Sequence, residues 1–258
     1  MRMMVFAKRN TKEILRDPLT LFFGAAFPVI LLLLLWMIGR NIPQGQGPDT
    51  FVIEKLAPGI ALFGLTFITL FSALLVSKDR GDSLMLRLMT SPMTASDFVF
   101  GYTLPLIPLA IIQILIVFAV SVPMGFRLSS DILLSIVTLI PAAILFIGIG
   151  LLFGTILNEK QVGGICGALM TNLCAWLSGI WFDVAAVGKW FETIAKALPF
   201  SHAVNAARYA AAGDYASIMP ELIWVIAYAV VISVLAVILF SGKLRSKNTC
   251  PTFLREEK

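Results

Sequence analysis

The chain has 258 residues, of which 59% are hydrophobic and 14% charged, and its formal net charge is +5. Soluble domains carry about 25% charged residues, so this chain lacks the charge to cover a water-facing surface and reads as an integral membrane protein. Its basic excess points to cytoplasmic loops and anionic lipid rather than nucleic acid.

Residues 1–18 carry Arg2, Lys8, Arg9, Lys12 and Arg16, without the apolar core of a signal peptide. Met4, Ala7, Ile14 and Leu15 can share one helical face with the bases on the other. That pattern predicts an amphipathic helix at the cytoplasmic interface, with a solvated basic tail as the alternative. Six apolar runs follow, at about residues 21–39, 57–77, 101–122, 132–157, 162–182 and 222–241. Each is near the roughly 20 residues that a helix needs to span hydrocarbon. None contains Asp, Glu, Lys or Arg, and none alternates with the period of two expected of a barrel strand. The expected fold is an all-α integral membrane protein, one transmembrane domain of six helices.

With both termini in the cytoplasm, the inner segments hold fourteen Lys and Arg against six outside. That asymmetry favours this orientation. It puts residues 78–100 and the tail, 242–258, inside. Pro28, Pro58, Pro105, Pro108 and Pro141 fall within spans, where neighbours can re-satisfy the freed carbonyls. Gly150 and Gly154 form one GxxxG, Gly163 and Gly167 another. Either serves as a contact between copies or as packing within one subunit. Of the three cysteines, Cys166 and Cys174 lie in an apolar run and Cys250 in the tail. No CxxC or Cys/His cluster supports a disulfide framework or a metal site, and all three read as small packing residues.

The inner stretch 77–101 is the longest polar break that looks structured. Asp82 or Ser83 can cap a short helix through about Met89. Leu84 pairs with Leu88, and Met85 with Met89, at i,i+4, which gives one apolar face; Arg87 projects elsewhere. Ser91-Pro92 breaks that helix, and Thr94-Ala95-Ser96-Asp97 is a capping box for the helix into the third run. Exposed leucines and methionines in the cytoplasm require a cover, from this protein's own helices or from a partner.

The last outer connection, 183–220, carries helical spacing over 185–197, a stop at Pro199 and an alanine-rich stretch over 201–212. Two short helices here would dip into or lie on the outer leaflet. His202 has no acidic or cysteine neighbour in sequence that would suggest a metal site. Glu221 either complements a helix start or contributes with Pro199, His202 and Arg208 to an outer gate. Thr171 and Asn172 are polar within a run, and Phe67, Phe71 and Trp176 are aromatic. They line a route for an amphiphile, or they pack between helices and at the interface. There is no GxxxxGK[ST], no HExxH and no GxSxG, and spans without carboxylates disfavour an ion-coupled carrier.

Taken together, three features give a resemblance that covers nearly the whole chain. They are the run Lys8 to Pro18, the stretch Leu84 to Gly101, and Leu198-Pro199-Phe200-Ser201-His202-Ala203-Val204 followed by Arg208. The chain resembles a permease subunit of the type 2 ABC exporters, which move drugs, lipids or polysaccharides outward. Thr90, Ser91, Pro92, Thr94, Asp97 and Gly101 fit that family's inner loop. Met85 stands where an acid is usual, and Tyr102 where a lysine is usual.

The resemblance implies a coupling helix carried by Leu84, Met85, Arg87, Leu88, Met89 and Pro92, docked in a separate ATP-binding subunit. It also implies outer re-entrant helices between spans five and six. The chain itself would bind no cofactor, with ATP and Mg used by the partner. Two permease copies, as a homodimer or with a close paralogue, would flank the route in a bacterial or archaeal cell membrane. The expected cargo is an amphiphilic drug, antibiotic or lipid-like compound. The alternatives are export of polysaccharide or lipid-linked glycan, or a membrane assembly or signalling subunit that transports nothing.

Overall fold

The computed structural model describes residues 2–42, 49–81 and 94–248. Among these, all regular structure is helical. Helix α1 (Arg2–Arg16) ends where Asp17 precedes Pro18, because a residue before proline is driven out of the α region. Asp17 is extended and starts the next helix, accepting from the Leu19 amide at 3.1 Å and the Thr20 hydroxyl at 2.6 Å. Helix α2 (Pro18–Asn41) carries a π turn at Phe22–Ala26. Pro28 has no amide to give the carbonyl four residues back, at Gly24, and the widened turn falls there.

Five helices among the described residues are long and apolar enough to cross a membrane. They are α2, α3 (Ile53–Gly81), α4 (Ala95–Ser121), α5 (Ser130–Ile156) and α9 (Tyr215–Asn248). The run expected as the fifth span, 162–182, is helical over 159–177 only, as α6. It is built of Glu159–Val162, a π stretch Gly163–Met170 and Thr171–Leu177, and it is not one of the five. The outer connection forms a single turn at Val184–Val187, then α7 (Lys189–Ala197) and α8 (Pro199–Ala212). Pro199 does more than stop a helix: it occupies the first position of α8, where a missing amide hydrogen costs nothing.

Helix α3 is buried over nearly its whole length, whereas α2 and α9 expose most of theirs. The centre of the bundle is the α3–α5 contact. A methyl at Gly154 would lie 2.6 Å from the Ala73 carbonyl oxygen and 2.9 Å from Val76 Cβ, and one at Gly150 would collide with the Thr69 carbonyl. The glycines let the helices touch backbone to backbone. Thr69 then donates to the Phe146 carbonyl at 2.9 Å and Ser72 to the Ile147 carbonyl at 3.0 Å. This GxxxG packs within the subunit. The second is split: a methyl at Gly163 would meet nothing within 4 Å, whereas one at Gly167 would lie 3.6 Å from Leu70 of α3.

Candidate functional site

The expected coupling residues Leu84, Met85, Arg87, Leu88, Met89 and Pro92 lie outside the described residues. The two flanks of that segment are described, and both are tied to α1. On the α3 side, the helix continues past the apolar run to Gly81 and buries Asp79 completely. Arg9 reaches Asp79 with both terminal nitrogens, at 2.6 and 2.8 Å, and the Tyr102 hydroxyl donates to it at 2.9 Å. Arg9 also pairs with Glu13 at 2.8 Å, and Glu13 with Lys78 at 3.1 Å. Partial burial alone would lower the Arg9 pKa, but the bond and charge of Asp79, with Glu13, hold it above its ordinary value.

On the α4 side, Asn10 is buried and donates to the Gly101 carbonyl at 3.0 Å. The Phe6 ring fills the space that a side chain at Gly101 would need. It meets Phe98 and Tyr102 edge-on, with centroids 5.8 and 4.9 Å away. The start of α4 is fixed by the expected capping box: the Asp97 amide donates to Thr94 Oγ1, and the Thr94 amide to Asp97 at 2.9 Å. Tyr102, noted only as a departure from a lysine, therefore closes a buried polar lock. Arg80 adds a third tie, donating to the Gly154 carbonyl at 2.7 Å and the Leu157 carbonyl at 3.2 Å. A cation on the last carbonyls of α5 also suits that helix's negative end.

The buried face of α1 is not the one expected from sequence. Ala7 and Ile14 are inside, joined by Phe6 and Asn10, but Met4 and Leu15 are exposed. At about 100° per residue they fall on the flanks of the packed stripe.

At the other end, His202 and Glu221 are joined through His202 Nδ1 and a Glu221 carboxylate oxygen. His202 Nε2 sits 2.8 Å from the Lys196 carbonyl oxygen, so its ring bridges α7 and α9. The ring also stacks on Trp224, 5.4 Å away and 7° from parallel. Tyr228 donates to the Ala197 carbonyl at 2.6 Å. Arg208 stands apart from this group and donates to the Lys55 carbonyl at 3.0 Å. Pro199 is buried at the α7–α8 junction. Of the four expected gate residues, His202 and Glu221 are brought together; Arg208 ties α8 to the start of α3.

The expected route residues divide. Phe67 and Phe71 are inside the bundle. Phe67 stacks on Phe23 at 5.5 Å and meets Phe27 and Phe63 at 5.4 and 5.7 Å. Trp176 is exposed, as is Asn172, which donates to the Ala168 carbonyl at 2.8 Å. Thr171 is half-buried and donates to the Cys166 carbonyl at 3.4 Å. Cys166 and Cys174 are buried free thiols.

The ABC-2 type transporter family model matches residues 1–211. That stretch holds α1, both tied flanks and nearly all of α8. The chain is also similar to ABC transporter G family member 20 of Dictyostelium discoideum, at 27% identity over 167 residues, 62% of this chain. The match spans 22% of the length of that relative. A family match that extends from the N-terminal helix through five further helices into the outer pair leaves one assignment: the chain belongs to the ABC-2 type transporter family.

Proposed function

We propose that this chain is the transmembrane permease of an ATP-driven exporter that moves an amphiphilic drug, antibiotic or lipid-like compound out of the cell. ATP binding and hydrolysis belong to a separate subunit, since this chain has no P-loop sequence. The observation that carries the reading is the family membership joined to the double tie of α1 to the flanks of 82–93. A segment that receives a push from a soluble partner transmits it only if its ends are held rigidly. Here the ends are held by a half-buried ion pair, a buried amide and an aromatic cluster.

Leu84, Met85, Leu88 and Met89 are the apolar grip of this coupling element, with Arg87 and Pro92 completing it. The basic segments lie on the cytoplasmic side, with both termini inside.

In this reading α6 is the sixth crossing. Leu157 lies beside Arg80 at one end of the bundle, while the Trp181 carbonyl accepts from Thr50 at the other, at 3.4 Å. The 19 helical residues of 159–177 extend about 28 Å between them. Helices α7 and α8 form the re-entrant pair. Phe200 stacks on Phe146, in the middle of α5, while Ser135, near its start, donates to the Ala207 carbonyl at 2.8 Å. Such a descent and return suits backbone that is covered by protein at membrane depth. His202 and Glu221 then form the polar part of the outer gate.

The exposed small face of α6 around Gly164 and Ala168 suits a second copy. The route runs between the two copies, past Thr171, Asn172 and Trp176, with Phe67 and Phe71 behind it.

The test is co-purification of an ATPase with the full chain, followed by ATP-dependent export in vesicles. Leu84→Asp/Leu88→Asp is expected to insert normally and abolish transport. Wild-type transport by that variant overturns the coupling assignment.

A further inference from the structure

A cavity of about 1270 Å³ opens between α1, the start of α2 and one side of α3. Sites that enclose drug-sized ligands occupy roughly 300–1,000 Å³, so this one has room for a larger, elongated molecule. Its two walls differ in chemistry. One is the outward face of α1, where Lys8, Lys12 and Arg16 recur at i,i+4 and are exposed. The other is the α3 stripe Phe71, Leu74 and Leu75, at helical spacing.

Like charges at i,i+4 repel, and a helix gains by interleaving acids. Two of the three acids that line the cavity are engaged elsewhere. Glu13 is held by Arg9 and Lys78. Asp17 caps α2 through Leu19 and Thr20. Glu159 stands in the first turn of α6, where it suits the positive helix end. Among the described residues, none of the carboxylates pairs with Lys8, Lys12 or Arg16. Three unpaired cations thus face one cavity whose opposite wall is hydrocarbon.

We propose that this groove binds an anionic amphiphile, with its phosphate or carboxylate head on Lys8, Lys12 and Arg16 and its hydrocarbon on Phe71, Leu74 and Leu75. The inference rests on reading α1 as an interfacial helix, but not on ATP-driven export. Two sources share this chemistry: an anionic phospholipid of the adjoining leaflet, held as a resident, or an anionic cargo on its way to the route.

The test uses the purified full chain in neutral detergent and fluorescent phosphatidylglycerol and phosphatidylcholine with identical tails. Phosphatidylglycerol is expected to bind at least about tenfold tighter. The exposed-site variant Lys8→Gln/Lys12→Gln/Arg16→Gln is expected to abolish that preference. Arg40→Gln/Arg127→Gln/Lys189→Gln, which removes the same charge from other exposed positions, is expected to keep it. Equal binding of the two lipids overturns the proposal, as does a preference that survives in the first variant or is lost in the second. Displacement of the probe by inorganic phosphate as readily as by unlabelled lipid would mean an adventitious ion only, and also overturns it.

Vesicles holding the chain with its co-purified ATPase then separate the sources. ATP-dependent passage of the labelled phosphatidylglycerol to the other leaflet identifies a cargo, and its retention identifies a resident lipid; both support the site. Absence of any co-purifying ATPase counts against the export reading and leaves the binding result intact.

Discussion

The lock at Asp79 makes an ordered prediction about two single variants and their combination. Asp79 has no exposed surface and receives two bonds from Arg9 and one from Tyr102. Removing one partner of a fully buried ion pair costs about 3–5 kcal/mol, because the other charge stays desolvated. The Arg9 side chain keeps 38% exposure, so water screens part of its share. Arg9→Gln strands the buried carboxylate with Tyr102 alone, and a loss of about 2–4 kcal/mol is expected. Asp79→Asn keeps the shape and leaves Arg9 free to use Glu13 and water, at a loss of about 1–2 kcal/mol. Because the neutral amide of Asp79→Asn carries no charge to strand, Arg9→Gln costs less in its presence, by a coupling energy of about 1–3 kcal/mol. At about 2–4 °C per kcal/mol, Arg9→Gln lowers the unfolding midpoint by roughly 4–16 °C and the double variant by less than the sum of the singles. The assay is thermal unfolding of the detergent-solubilised protein, followed by helical circular dichroism. Additivity within about 0.5 kcal/mol, or a costlier Asp79→Asn than Arg9→Gln, refutes the reasoning.

Further outcomes are expected elsewhere in the bundle. Gly154→Ala drives a methyl into the Ala73 backbone and is expected to destabilise by about 1–3 kcal/mol, seen as a lower melting midpoint. A Cβ at Gly164 meets no neighbour within 4 Å, so Gly164→Leu is expected to hold the midpoint while size-exclusion chromatography reports loss of any dimer; an unchanged dimer removes α6 as the interface between copies. His202→Ala and Glu221→Gln are each expected to lower the midpoint by a few degrees, about 1–2 kcal/mol, and the double variant by no more than the worse single. Independent effects would mean that the two do not act as a pair. Arg80→Gln uncaps α5 and is expected to cost about 0.5–1.5 kcal/mol, with faster proteolysis near Leu157 as the local readout; unaltered cleavage there argues against the cap.

The helical class and the place of most spans were legible because apolar runs of about 20 residues leave few alternatives. The short-range signals also carried through. The Thr94–Asp97 box starts α4, and Pro199 separates α7 from α8. What the sequence hid depends on distant partners. Asp79 looked like a loop charge because hydropathy ends at Ser77, while the helix runs on to Gly81 and finds Arg9 seventy residues away. His202 and Glu221 are separated by nineteen residues, and only the turn between α8 and α9 brings them face to face. The two GxxxG motifs are equivalent as text. One meets the backbone of α3, while the other leaves Gly163 open and meets only the Leu70 side chain at Gly167, because a glycine pair permits close approach without naming the neighbour. The apolar run expected as the fifth span instead carries a π-helical stretch over its glycines, Gly163–Met170.

The central position of α3 also bears on how the chain is made. Its buried Thr69, Ser72 and Asp79 find their partners only on other helices. Arg9 precedes it in synthesis and is ready for Asp79 when α3 emerges. The carbonyls that accept from Thr69 and Ser72 belong to Phe146 and Ile147, more than seventy residues later. Between those moments the nascent protein holds a helix with an uncovered hydroxyl-lined stripe beside lipid. Chains stalled after α4 would present that stripe to membrane chaperones and proteases, and chains that reach Gly154 would conceal it. Completion of α5 is thus the step that supplies the carbonyls for the Thr69 and Ser72 hydroxyls and closes that stripe inside the bundle.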